Sequence, residues 1–148
     1  MTKSLLPLMS LMTLLAGCRG GAVDVTASEA WVAATAAGQP VGAAYVTLAN
    51  RGSHPASLVA VEAPGTAETA SLHSTSLADG VMRMRPLNEG LEIPAGGQVK
   101  LAPMGDHVML AGLAHPLVAG QQVRLVLRFD DASEVDVVAS VRPAMAMR

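Results

Sequence analysis

The sequence predicts an all-β domain, a Greek-key β-sandwich of many short strands, and three observations carry that prediction. In the C-terminal third, Val123, Leu125, Leu127 and Phe129 alternate with Arg124, Val126 and Arg128. The period of two resumes in Val135, Val137, Ala139 and Val141 after the turn-forming stretch Asp130 to Ser133, as a hairpin requires. Turn residues punctuate the rest of the chain at short intervals, in Asn50-Arg51-Gly52-Ser53, Ala63-Pro64-Gly65 and Asp79-Gly80. There is no long stripe at helical spacing and no internal repeat, so a sandwich is favoured over a parallel sheet.

Taken in order, the chain opens with a segment that is not part of this fold. Lys3 gives a basic start, and Leu5 to Ala16 is an apolar run too short to span a bilayer as a helix. It ends in Leu15-Ala16-Gly17-Cys18, the shape of a bacterial lipobox, in which the Cys is acylated and becomes the first mature residue. The alternative is a plain secretory signal with an incidental Cys beside its cleavage site. The expected organisation is a signal peptide over 1–17, a lipidated Cys18 and short tether over 18–22, a β-domain over 23–142, and a flexible tail over 143–148. Stable anchoring needs more than one acyl chain, which a bacterial lipoprotein is expected to carry.

Within the domain, strands are expected at Trp31 to Thr35, Ala43 to Asn50, Ser57 to Glu62, Glu68 to Ser74 and Val81 to Leu87. Val99 and Leu101 alternate with Gln98 and Lys100 in the same way. Ala27 to Ala37 is Ala-rich enough for a helix, but Trp31, Val32 and Thr35 favour a strand. Met145-Ala146-Met147-Arg148 is read as a chain end and not as a site.

Composition narrows the function. Removing residues 1–17 takes away Lys3 and moves the formal charge from −2 to −3, with no basic run, which argues against nucleic-acid binding. Trp31, Tyr45 and Phe129 are the only aromatics, so the core must come mainly from Val, Leu and Ala. No cysteine follows Cys18, so one chain can build neither a disulfide nor a thiolate metal site of the blue-copper kind. No Ser-His-Asp arrangement or legible carboxylate pair appears, so the chain is not expected to be an enzyme.

What remains is a sparse set of soft donors, His73, Met84, His107 and Met109, in the spacing His-x10-Met-x22-His-x-Met. Thioethers select Cu(I), whereas carboxylates and carbonyls suit harder ions. All four donors are neutral, so a cuprous ion leaves a single positive charge in the site. Residues two apart on a strand share a face. His107 and Met109 can therefore point the same way, and Met82 and Met84 likewise, opposite Arg83 and Arg85. A turn at Asp79-Gly80 would set the segment carrying Met84 beside the one carrying His73. The competing interpretations are ordinary. Most histidines are surface or hydrogen-bonded residues, as His54 and His115 are taken to be, and methionines fill core gaps, as Met82 or Met104 would. Zinc is the metal alternative, although Met is a poor zinc ligand.

The stretches Asp79 to Pro86, Glu92-Ile93-Pro94-Ala95-Gly96-Gly97 and His107 to Leu113, with Ala30-Trp31 and Ala43 to Asn50 upstream, resemble the periplasmic copper chaperone family PCu(A)C. The resemblance runs from about Val23 to Val141. It implies a cupredoxin-like fold and one Cu(I) held by two His and two Met, which fall on His73, Met84, His107 and Met109. It also implies a role in supplying copper to the CuA centre of cytochrome c oxidase. The chain departs from the family pattern in two places. The interval from Met84 to His107 is one residue longer than usual, with Leu87-Asn88-Glu89-Gly90 the natural place for the extra residue. The Met that often lies near the first His is replaced by Ser74, Thr75 and Ser76.

The expected function is therefore an envelope copper metallochaperone, lipid-anchored on the periplasmic side, that passes Cu(I) by ligand exchange. Its partner would be a copper acceptor protein, either the cytochrome c oxidase CuA subunit or its assembly factor. A storage or detoxification role would use the same site. The alternative from another class is a structural or protein-interaction lipoprotein whose methionines, Met84 and Met109 included, are buried packing.

Overall fold

The computed structural model describes residues 23–144, and every regular element among them is a strand. The strands are β1 (Val25–Ala33), β2 (Val41–Asn50), β3 (Ala56–Glu62), β4 (Ala67–Ala78), β5 (Val81–Pro86), β6 (Leu91–Ile93), β7 (Gln98–Lys100), β8 (Asp106–Leu113), β9 (Gln122–Phe129) and β10 (Glu134–Arg142). They are hydrogen-bonded in the order β5-β4-β8-β2-β1-β10-β9-β3-β6, with β7 pairing the far half of β2. All pairings are antiparallel except β1 with β10, where Trp31 lies beside Ser140. The signal sequence, Cys18 and the Met145–Met147 pair fall outside the described residues.

This path folds over one apolar core, and alternation along each strand explains how. Ala44, Val46 and Leu48 of β2, Val108 and Leu110 of β8, Leu72 of β4 and Val32 of β1 turn inward. They meet Leu125, Leu127 and Phe129 of β9 and Leu58 of β3. Each such Val, Leu or Phe side chain contributes about 1.5–3 kcal/mol by leaving water. Outward positions on the β9–β10 hairpin carry charge, and Arg124 pairs with Asp136 while Arg128 reaches both Glu62 and Glu134. These pairs are exposed, so they set solubility more than stability.

The strands differ from the expected ones where regular alternation breaks. β1 starts at Val25, opposite Asn50 and six residues before Trp31, and its register against β2 shifts between Ser28 and Trp31. Glu29 sits in that bulge with φ 52. The bulge destroys the period of two that would have marked the strand. The Ile93-Pro94-Ala95-Gly96-Gly97 segment proves structural. Ile93 ends β6 in the core, and the Gly97 N–H closes a turn on the Pro94 carbonyl. The buried Asn50 side chain then ties the turn to β2, donating to the Ile93 and His54 carbonyls and accepting from the Gly52 N–H. Both of its N–H donors and its carbonyl oxygen are engaged, so removing it would strand buried partners at about 1–3 kcal/mol.

Candidate metal centre

Register builds the site. Residues directly opposite on antiparallel strands share a face. His73 of β4 lies opposite His107 of β8, and Ser71, two residues back on β4, lies opposite Met109. On the other side of β4, Thr75 lies opposite Met84 of β5. Since Ser71, His73 and Thr75 point the same way, all four predicted donors occupy one face of three adjacent strands. It is the outward face, because Leu72 and Val108 between them point into the core. The expected turn is present: Asp79 and Gly80 have φ of 53 and 74, the doubly positive pair of a tight hairpin turn, and they place β5 directly against β4.

The two imidazoles are 6.0 Å apart between ring centroids. His107 is only 6 % exposed, and its Nδ1–H donates to the Gly105 carbonyl at 3.0 Å. A carbonyl only accepts, so this contact fixes the proton on Nδ1 and leaves the Nε2 lone pair available. The same carbonyl accepts the Thr75 N–H, which locks the loop before β8 to β4. His73 has Nε2 3.0 Å from the Ser71 hydroxyl, while its Nδ1 is buried with no hydrogen-bond partner. An orphaned buried ring nitrogen costs about 1–3 kcal/mol unless something fills its valence, and a metal ion is one such partner. Burial, followed by the nearby His107, holds the His73 pKa below its usual value, so the neutral, ligating form is favoured.

The sulfurs flank this pair unequally. Met109 is half-buried beside Ala43 of β2, whereas Met84 on the edge strand is 55 % exposed. Met82 and Met104, expected to fill core gaps if they were not ligands, are both about half exposed instead, at 49 % and 51 %. Met82 lies opposite Leu77, farther out along the hairpin on the same face as Met84. His54 and His115 are exposed and distant in the topology, as expected of surface residues.

One feature was missed from the sequence. Two of the three aromatic side chains lie beside the site on the outward face. Tyr45 comes level with His107 one step beyond the Ala44–Val108 pair, and the rings are 6.5 Å apart. Trp31 stacks on the far side of Tyr45 at 4.4 Å, and the Arg142 guanidinium lies 5.9 Å from the Trp31 ring centre. Burial pushes the Tyr45 phenol above its usual pKa. The signal lay in the alternation of β2, where Tyr45 falls between the apolar Ala44 and Val46 and so faces away from the core.

Comparison with known proteins agrees with this architecture. The apo PCuAC domain of PmoF1 (TM-score 0.66, 24 % identity) and the copper-bound PCuAC domain of PmoF2 (0.68, 21 %) share the fold, covering 81 % of this chain and 94 % and 93 % of theirs. DR1885 of Deinococcus radiodurans, solved in solution in its Cu(I) form, is 35 % identical over 90 % of this chain and 87 % of its own, with TM-score 0.61. A relative in Leifsonia xyli subsp. xyli (strain CTCB07), the lipoprotein-described Lxx21020, is 40 % identical over 118 residues, 80 % of this chain and 69 % of that protein. The family model "Putative lipoprotein LpqE-like" matches residues 25–141. Across residues 25–141 the chain belongs to the LpqE-like family, on a PCuAC-type, cupredoxin-like fold.

Proposed function

We propose that this protein is a non-catalytic copper carrier of the bacterial envelope, binding one Cu(I) through His73, His107, Met109 and Met84. The observation that carries this is the opposed His73–His107 pair with a thioether on each flanking strand, all on one face. Two imidazoles and two thioethers are a neutral, soft donor set, matched to a soft monovalent ion. Among the described residues no three His, Cys, Asp or Glu gather at one place, so zinc or a hard cation finds no full coordination shell. The exposed Met84 argues against the methionines being buried packing. The Cu(I) form of DR1885 and the copper-bound PmoF2 domain support the choice of metal.

The same asymmetry supports transfer by ligand exchange. His107 is held from behind, while Met84 stands on a solvent-facing edge strand. An acceptor's His, Met or Cys would displace Met84 first, keeping the ion bound throughout. The acceptor is proposed to be a periplasmic copper protein such as the CuA subunit of cytochrome c oxidase or its assembly factor. Lipidation at Cys18 would keep donor and acceptor at one membrane.

A Cu(I) titration of the mature domain against a competing chelator, with X-ray absorption to count sulfur and nitrogen neighbours, tests the site. The parent should hold one equivalent with two sulfurs and two nitrogens. The double variant His107→Ala, Met109→Ala should lose it while keeping its β-rich far-ultraviolet spectrum. Retention of one equivalent by that variant refutes the ligand set.

A further inference from the structure

We infer that Tyr45, backed by Trp31, is a specificity-determining wall that makes this site prefer Cu(I) over Cu(II). The inference rests on the copper site proposed above and goes beyond it, because neither aromatic supplies a ligand. The four donors favour Cu(I) without by themselves shutting out Cu(II). Imidazoles also serve Cu(II), which takes tetragonal geometry and recruits nitrogen and oxygen donors, water included.

The wall closes one approach to the site. Strand order β1-β2-β8-β4-β5 sets Trp31, Tyr45, His107 and His73 in a continuous row across four strands, with Met84 beyond it on the fifth. Tyr45 stands on the side of His107 away from His73, and its β2 neighbour Ala43 lies opposite Met109. The β2 side of the site is thus lined by an aromatic ring and a methyl group, and neither offers a strong donor to an incoming ion. Trp31 packs against Tyr45 at 4.4 Å, and Arg142 lies over Trp31. The wall therefore has support from β1 and β10 and does not depend on a single mobile side chain.

Two physical effects then act in the same direction. Water is kept from the β2 side of His107, so the extra oxygen ligands that favour Cu(II) lose one approach to the ion. The apolar wall also lowers the local dielectric, and desolvation costs grow steeply with charge, so a dication suffers more than a monocation. The placement is economical in a chain with one Trp, one Tyr and one Phe. Phe129 is in the core, while Tyr45 stands beside His107 with Trp31 behind it.

The test measures Cu(I) and Cu(II) affinities separately, by chelator competition and electron paramagnetic resonance, and the reduction potential of the bound ion by voltammetry. Tyr45→Phe should match the parent. Tyr45→Thr keeps a strand-forming residue but opens the wall. It should lower the ratio of Cu(I) to Cu(II) affinity at least tenfold, about 59 mV in potential for a one-electron couple. Trp31→Thr, one strand farther out, should shift the ratio the same way by less, and it decides the matter should Tyr45→Thr fail to fold. A normal Cu(I) site in the parent with an unchanged ratio in the wall variants overturns the inference and leaves the copper-carrier proposal standing. A parent that takes up no Cu(I) overturns both.

Discussion

Two ring nitrogens govern what the site can hold. His107 has its Nδ1–H committed to the Gly105 carbonyl, so Nε2 is its only open position. His73 keeps a buried Nδ1 without a partner. The folded chain holds His73 neutral to lower pH than the unfolded chain does. The unfolded state therefore binds more protons on the acid side, and stability falls as pH drops through the ordinary imidazole value of 6.5. His73→Gln should remove part of that loss. Urea denaturation at about pH 7 and about pH 5 should show a smaller drop for the variant than for the parent, and an equal drop would show that His73 is not the group responsible. The same shift means that protons compete with copper at His73 less than they would at an unburied imidazole.

At the scale of elements, the β4–β5 hairpin is the device that completes the donor set. β5 is exposed at every residue, so packing contributes little to its placement and the turn contributes much. Gly80 adopts φ 74, and nothing lies within 4 Å of where a Cβ would be, so the cost of a side chain there is purely conformational. Gly80→Ala should destabilise the domain by about 1 kcal/mol and weaken Cu(I) binding through Met84. Leu77→Ala, three residues away but solvent-facing, should change stability by less than about 0.5 kcal/mol. Equal effects of the two variants on Cu(I) affinity would show that the turn does not position Met84. Much of this element was legible beforehand: Asp79-Gly80 marked the turn, and Met82 and Met84 alternating with Arg83 and Arg85 marked the faces. The pairing of β4 with β8, which sets His73 against His107, was not, because strand partners thirty-four residues apart leave no local trace. β1 was obscured by its bulge at Glu29, and β6 by being three residues long between Gly90 and Pro94. The aromatic wall escaped notice because Trp31 and Tyr45 were weighed as scarce core material, when the core is filled by aliphatic side chains and Phe129.

For the whole molecule, one domain of strands hangs from a short N-terminal tether in the proposed arrangement. The lipoprotein description of the family accords with an anchor at Cys18. Cys18→Ala should move the protein from the membrane fraction to the soluble envelope fraction while leaving Cu(I) stoichiometry of the purified domain unchanged. Retention in the membrane fraction would remove Cys18 as the attachment point. The parallel pairing of β1 with β10 has a further consequence, for the order in which the molecule is made. Trp31 gains its second neighbour only when Ser140 has been synthesised, so the earliest strand waits for the latest. Such a distant pairing makes for slow acquisition of the native state. The sheet is thus closed between its two halves only by the last strand to be made, so truncation before β10 should leave β1 and β9 each with an unpaired edge.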